Sequence, residues 1–550
     1  MVERLGRLAP DQRAAATAPP GPILCVAPAG SGKTTTLVAR IAWLIDAGES
    51  PGSICAITFN RRAAEELRER IEAALAPLGE GLARQLRIRT FHALGLEMLR
   101  EAGRPIAPLL DREEVLRTVR PDAAPAERRR LDTILSRFKL DLDVDPAAID
   151  ADPEAGPVAR TYAAYEAEIA RRGGLDFDDL VARALRVLEG DASVLGAWRA
   201  RCAHLLVDEA QDLDRAQLRM ALLLAAPHNR IFLVGDDDQS IYGWRLADVR
   251  RLLGLADAAL PELVRVDLET NYRCPAPVLD RAVRLVEHNA ERFAKVIRAG
   301  PDATGHLLLA PTAADDVDRA ASVLASWPED GLTRAVLART NRELLPVVAA
   351  ALRLEVPFRA KDLELPIESP LVDEVLAEAR AEVGAPGLVA QPLLALARAR
   401  ARAKPLSVEP LDEEASGASL QRDAIAAALL GWAAGARDLE ALRAAVEATR
   451  DRLARLRSDD ALLLLATAHG TKGLEFDHVA VIGLDEGRFP SARSVAEAVE
   501  PERALEEERR LAYVAWTRAR RSLTLVYDPG APSQFLREAF TDAELGVRAA

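Results

Sequence analysis

Residues 27–34 read APAGSGKT, and residues 206–212, far along the chain, read LVDEAQD. In the first string Gly30 and Gly32 let backbone N–H groups curl around phosphate oxygens, Lys33 reaches the outer phosphates, and the Thr34 hydroxyl is placed to ligate magnesium. The helix predicted to follow, TTTLVARIAWLI, points its positive end at the same phosphates. In the second string an apolar run, His204 to Val207, delivers Asp208 and Glu209 at the end of a predicted strand, where an acidic pair holds magnesium and polarises water. Alone, that pair reads better as a solvated loop start. The loop also departs from G-x-x-x-x-G-K-[ST], with Ala27 at the first glycine and Pro28 after it. The two strings in order predict a nucleoside triphosphatase site.

A chain of 550 residues is too long for one core, and three or four domains are expected. Its formal charge of −13 argues against binding nucleic acid by bulk electrostatics, although a local groove stays open. Cys25, Cys55, Cys202 and Cys274 lack metal-ligand spacing, so buried free thiols are expected. Apolar stretches are too short to span a bilayer, and the N-terminus lacks the apolar core of a signal peptide, so a cytoplasmic protein is expected. Only six of the 72 cationic residues are lysine, and two of those six, Lys33 and Lys472, fall inside motifs.

The separation between the two strings exceeds what one compact α/β unit needs, which predicts an insertion. Residues 105–173 fit, with helix-period segments such as AERRRLDTILSRFKL. From residue 205 onward, RIFLVGD, VRVDLETNYR, TRAVLART, LLLLATA, DHVAVIGL and SLTLVYD alternate with helical patterns. That alternation predicts an α/β fold of parallel sheets wrapped by helices, enough for two domains. A second helical insertion is expected over 362–457.

Further strings carry chemistry. VGDDDQSIYGWR at 234–245 places Gln239 to sense a phosphate, with Tyr242, Trp244 and Arg245 as planar groups for bases to stack on; core aromatics are the competing reading. ETNYRCP offers Tyr272 and Arg273, TAHGTKGLEF offers His469, Lys472 and Glu475, and EEERRLAYVAWTRAR ends with Arg518. Each of these, taken alone, reads better as a surface charge or a cap.

APAGSGKT, ITFNRRAAEELRERI, RTFHALGLEMLR, LDFDDL, VDEAQD, VGDDDQSIYGWR, NYRCP, ARTN, HGTKGLEF and EEERRLAYVAWTRAR together, in this order, resemble the UvrD, Rep and PcrA family of superfamily 1 DNA helicases. LAPDQRAAA near the start resembles that family's adenine-recognising motif. The resemblance implies two RecA-like domains with ATP between them, the first from 1–104 and 174–264, the second from 265–361 and 458–550. Each carries a helical insertion, at 105–173 and, shortened, at 362–457.

It further implies a 3′ to 5′ motor on single-stranded DNA that unwinds 3′-tailed duplex in repair or replication restart, using ATP and Mg2+. Ala27, Pro28, Ala29, Gly30, Ser31, Gly32, Lys33, Thr34 and Thr35 would form the nucleotide loop, with Gln12 on the adenine edge, Tyr272 on its face and Glu475 on the ribose. Thr34 and Asp208 would hold the metal, and Glu209 would deprotonate water. Gln239, Arg273 and Arg518 would meet the γ-phosphate, the two arginines arriving from the second domain as the cleft closes. Phe59, His92, Tyr242, Trp244, Arg245 and His469 would line the DNA channel, gripping by stacking and so reconciling the acidic charge. A monomer should suffice for ATPase, while self-association for unwinding stays open. No membrane association is expected, and no nuclease, zinc or polymerase-binding tail.

Four departures accompany the resemblance. Thr35 stands where the family commonly has Arg, Ala210 where it has an aromatic, and Leu246 where Gly is common. Residues 361–370, KDLELPIESP, replace the usual lead-in to the second insertion. A translocase that strips proteins without much unwinding is one alternative, and a noncatalytic interaction subunit another. Intact Lys33, Asp208, Glu209, Gln239, Arg273 and Arg518 count against the latter.

Overall fold

The computed structural model describes residues 6–79, 81–141, 156–383 and 425–546, except 427, 430 and 434. Short apolar runs such as ILCV, ICAI and HLLV form strands buried along their whole length, as expected of parallel strands covered on both faces. Six of them, β1 (Ile23–Val26), β2 (Ile54–Ile57), β3 (Arg87–Arg89), β4 (His204–Val207), β5 (Ile231–Gly235) and β6 (Val264–Asp267), form one sheet in the order β3-β2-β4-β5-β1-β6. Every pairing in it is parallel. β6 runs beside β1 in register from Ile23↔Val264 to Val26↔Asp267. The domain boundary expected between residues 264 and 265 therefore falls inside a strand of the first sheet.

Two short strands, β7 (Thr270–Asn271) and β8 (Arg298–Ala299), pair with each other and follow that sheet in the chain. The second sheet comprises β9 (His306–Pro311), β10 (Arg334–Ala338), β11 (Phe358–Arg359), β12 (Leu463–Thr467), β13 (Phe476–Val481) and β14 (Ala519–Tyr527), in the order β11-β12-β10-β13-β14-β9. It too is parallel throughout. The fold is α/β with two parallel sheets flanked by helices, as the alternating pattern predicts.

The first insertion contains helices Arg112–Val119, Pro125–Leu140 and Pro157–Arg171 around a small core of Val115, Leu116, Leu135, Tyr162, Tyr165 and Ile169. Ion pairs tie it to the body of the first domain. Lys139 Nζ lies 2.7 Å from Glu166, 2.9 Å from Asp176 and 3.0 Å from Asp179, while Arg112 meets Asp176 at 3.0 Å and Asp178 at 2.6 Å. The aspartates belong to LDFDDL, which opens the helix Asp179–Gly190. That helix packs so closely on Phe91–Glu101 that a side chain on Gly95 would collide with the Leu180 carbonyl.

In the second insertion, helices Pro370–Val383 and Leu439–Leu456 share a hydrophobic cluster with the second sheet, Val372, Val375, Leu442 and Val446 packing with Val336, Leu463 and Leu465. The expected helical stretch between them, 384–424, lies outside the described residues. All four cysteines are free and buried. Among the described residues no helix is long and apolar enough to cross a membrane.

Candidate nucleotide cleft and nucleic-acid interface

Ligands of parallel α/β sheets bind beyond the carboxyl ends of the strands. Here β1 runs into the APAGSGKT loop, β4 into Asp208 and Glu209, and β5 into Asp236 to Gln239, three adjacent strands delivering three motifs to one edge. Gly30 (φ 67°) and Gly32 (φ 87°) take left-handed backbone conformations. Space also demands glycine at Gly30, where a Cβ would lie 2.7 Å from Arg273 Cβ, while at Gly32 a Cβ would lie 2.6 Å from Gln12 Nε2 and displace that side chain. The helix Lys33–Asp46 starts directly from Gly32. Among the described residues Lys33 Nζ makes one hydrogen bond, at 3.4 Å to the Ala27 carbonyl, and the buried hydroxyls of Ser31 and Thr36 have no partner. A loop with idle donors and an uncommitted ammonium fits a polyphosphate.

The acidic pair is held under tension. Glu209 sits at φ 51°, costly for a side-chain-bearing residue, and Gln211 Nε2 donates to its carboxylate at 2.5 Å. Burial and the neighbouring Glu209 push Asp208 up to about 7. For Glu209, Lys33, Lys472 and the Gln211 amide outweigh burial and hold the carboxyl below its ordinary value. One carboxylate is thus held ionised beside a second that burial and like charge push toward its neutral form. Lys472 bonds the Asp212 carboxylate and donates to the Gln239 carbonyl at 2.6 Å, joining the β4 and β5 loops to the second domain.

The facing wall comes from β7 and from the helix Pro501–Trp516 that precedes β14. Asn271 Nδ2 donates to the Ala29 carbonyl at 2.6 Å, and Tyr272 N–H to Gly30 at 2.9 Å, so this segment is bonded directly onto the phosphate loop. Arg273 Nε donates to Glu475 at 2.7 Å, and Arg520 pairs with the same carboxylate. Arg518 is 1% exposed; its Nε donates to Val514 O at 2.8 Å, Nη1 to Leu474 O at 3.1 Å and Nη2 to Gln239 Oε1 at 3.3 Å. Burial, with Arg273 adding to it, pushes the Arg518 guanidinium down to about 9. Two crowded cations, with no carboxylate on Arg518 among the described residues, describe a seat for an anion.

Between the walls lies a cavity of about 1190 Å3 lined by Pro28, Ala29, Gly30, Gly32, Lys33, Thr34, Thr35, Asp208, Glu209, Gln239, Tyr272, Arg273, Glu475 and Arg518. Most of the expected nucleotide residues are therefore brought together. Ala27 and Ser31 lie behind the surface, 0% and 1% exposed. Gln12 does not line the cavity: its Nε2 donates to Ser31 O at 2.8 Å and its Oε1 accepts from Ala9 N–H at 3.3 Å. In this structure its amide braces the loop from behind.

The same cavity reaches Phe59 and Tyr242. Their rings stack at 5.0 Å and 11°, Trp244 meets Tyr242 edge-on at 6.2 Å, and Arg245 lies over Trp244 at 4.6 Å. Trp244 is 54% exposed, which disposes of the core reading for it, whereas Tyr242 is partly buried and packs on the second-domain core. Helix caps place the other aromatics: Asn60 caps the helix just after Phe59, and Thr90 caps the helix that begins Phe91-His92. Burial drives His92 and His469 down to about 4 in each case, so both are neutral at pH 7.

Phe177, which no sequence expectation singled out, stacks on His92 at 4.0 Å while remaining 55% exposed. Its signal was an aromatic set among the acids of LDFDDL, each acid turned inward to Arg112 or Lys139. Leu246 adopts φ 68°, a left-handed conformation that glycine takes without strain. Ala210 is buried against the first-domain core.

This is a two-sheet P-loop protein whose interdomain cleft opens onto an exposed aromatic track. Residues 8–259 match the UvrD/REP helicase N-terminal domain and residues 435–529 the UvrD-like helicase C-terminal domain. The chain is 30% identical to the ATP-dependent DNA helicase PcrA of Leuconostoc citreum over 92% of its own length and 80% of the relative's. It is 29% identical to DNA helicase II of Haemophilus influenzae over 96% and 84%, and 29% to DNA helicase II of Escherichia coli over 95% and 84%. The chain belongs to the UvrD/Rep helicase family.

Proposed function

We propose that this chain is an ATP-dependent DNA helicase that moves 3′ to 5′ on single-stranded DNA and opens 3′-tailed duplex, in repair or replication restart. The observation that carries the reading is the shared cavity: Lys33, Asp208 and Glu209 on one wall, Arg273 and Arg518 on the other, and Phe59 and Tyr242 at its edge. A change in separation between the walls is then felt by the aromatics.

In this reading Lys33 and the loop N–H groups bind the β- and γ-phosphates, and Glu209 accepts a proton from the attacking water. Thr34 and Asp208 would hold Mg2+, which supplies charge neutralisation at the phosphates. Arg273 and Arg518 stabilise charge on the transferring phosphoryl group, Arg273 leaving Glu475 free for the ribose. Tyr272, 47% exposed, has a free face for the adenine. Tyr242, Trp244, Phe177 and His92 grip bases by stacking, worth about 1 to 3 kcal/mol per base and indifferent to sequence. That grip suits a chain of charge −13.

Strand displacement on matched 3′-tailed and 5′-tailed duplexes, with ATPase followed in parallel, tests the proposal. Single-stranded DNA should stimulate hydrolysis, unwinding should require the 3′ tail, and Lys33→Ala should lose both activities while retaining its fold. Hydrolysis indifferent to DNA sinks the motor reading, and preference for the 5′ tail overturns the polarity.

A further inference from the structure

The loop after β5 carries three consecutive aspartates, Asp236, Asp237 and Asp238, each 0% exposed. Carboxylates crowded together away from water need cations, and these come from elsewhere in the chain. Lys295 Nζ, on a side chain 1% exposed, lies 2.8 Å from Asp236, 2.5 Å from Asp237 and 2.9 Å from Asp238. Arg292 forks onto Asp238 at 3.0 and 2.8 Å, and Phe293 N–H donates to Asp237 at 2.8 Å. Residues 292–295 lie between β8 and the helix Ala276–Val286, whose Val278, Leu279 and Ala282 sit in the second-domain core. A strap from the second domain is thereby clipped onto β5 of the first.

Asp236 faces two ways. One oxygen takes Lys295; the other accepts from Gln239 Nε2 at 2.6 Å. An ionised carboxylate only accepts, so the Gln239 NH2 is held toward it and Oε1 is turned to Arg518, whose Nη2 donates at 3.3 Å. Without Asp236 the amide is free to turn over.

We propose that Lys295 is a positioning residue for ATP hydrolysis: by pinning Asp236 it holds Gln239 with its carbonyl oxygen toward Arg518 and the cleft. This rests on the ATPase reading above. Gln239 then acts at the reacting phosphate as an acceptor, for Arg518 or for an O–H of the attacking water, while Glu209 accepts the other proton. The identity of the cation matters. An ammonium offers three donors from one point and satisfies three carboxylates around it, which a planar guanidinium does not. A chain with only six lysines among 72 cations spends one of them here.

The test is steady-state ATPase with saturating single-stranded DNA on the full chain. The variants are Lys295→Met/Asp237→Asn, which removes one charge of each sign, Lys295→Arg, Gln239→Ala, and the combination of the first with Gln239→Ala. Thermal melting monitors the fold. A positioning role predicts kcat down at least about tenfold in the charge-balanced pair, the scale of a misplaced catalytic group, with KM for ATP and DNA affinity within about threefold. In the Gln239→Ala background the same pair should cost less than about twofold more, because residues acting as a unit are not additive. Wild-type kcat in the pair, a loss confined to KM, or losses that multiply in the combined variant each overturn the proposal. Should the pair not fold, Lys295→Arg decides: wild-type kcat there overturns it, and reduced kcat with native melting supports it. Wild-type protein lacking DNA-stimulated ATPase fails the function reading itself, and is scored before any variant.

Discussion

Replacing Arg518 by Ala probes the cleft most directly. The guanidinium donates to the Val514 and Leu474 carbonyls and to Gln239 Oε1, and among the described residues it has no carboxylate partner. Truncation leaves the Leu474 carbonyl unmet, at about 1 to 3 kcal/mol where water does not reach it, while Val514 O keeps the Thr517 hydroxyl at 3.2 Å. Melting should therefore fall by a few degrees, and saturating ATP should raise wild type and variant by similar amounts, leaving the difference between them. The functional loss is larger and of different origin. Burial and Arg273 keep this cation poised for an anion, and an arginine supplied to phosphoryl transfer within one chain is worth about 10³ to 10⁵ in rate, or about 4 to 7 kcal/mol of barrier. Single-turnover hydrolysis at saturating DNA, beside equilibrium ATP binding, separates the two. Arg518→Ala should lose at least about a thousandfold in the chemical step with ATP affinity down less than about tenfold, and Arg518→Lys should recover little because it lacks the planar fork. The reasoning is refuted if Arg518→Ala hydrolyses ATP within about tenfold of wild type, or if its defect lies wholly in binding.

Two other outcomes follow from the same geometry. Phe177→Ala and Trp244→Ala should each weaken single-stranded DNA binding by about 1 to 3 kcal/mol, equally on pyrimidine and mixed sequences, by fluorescence anisotropy; an unchanged affinity for Phe177→Ala removes that ring from the track. His92 and His469, driven to about 4 by burial, also make the fold acid-sensitive. Unfolded histidine takes up protons below about 6.5 while the folded side chains resist, so their stability is fully present above that pH and lost as pH falls toward 4, up to about 3 kcal/mol each. Melting temperature between pH 7 and 4 should fall less steeply in His92→Gln than in wild type, and parallel curves would contradict the assignment.

Much of this was legible in the chain. Phosphate loops, acidic strand ends and alternating apolar runs are local, so backbone preference and side-chain chemistry within a few residues declare them. That is why the phosphate loop, β4 and β5 and the groups at their ends could be read directly, together with the α/β architecture. Pairing is not local. Lys295 looks like one cation in a loop until folding sets it against Asp236, Asp237 and Asp238, and LDFDDL looks acidic until Arg112 and Lys139 turn its carboxylates inward and leave Phe177 outside. Gln12 stands in a motif read as adenine-binding, yet a 2.8 Å bond to Ser31 turns its amide into a brace. β6 was cut by the boundary that the resemblance implied, because only pairing with β1 assigns its four residues to the first sheet. The chain by itself determined the kind of machine and where its phosphates sit. Tertiary structure decided which charges meet, since burial sets the strength of an ion pair and distant segments share a dielectric only after they pack.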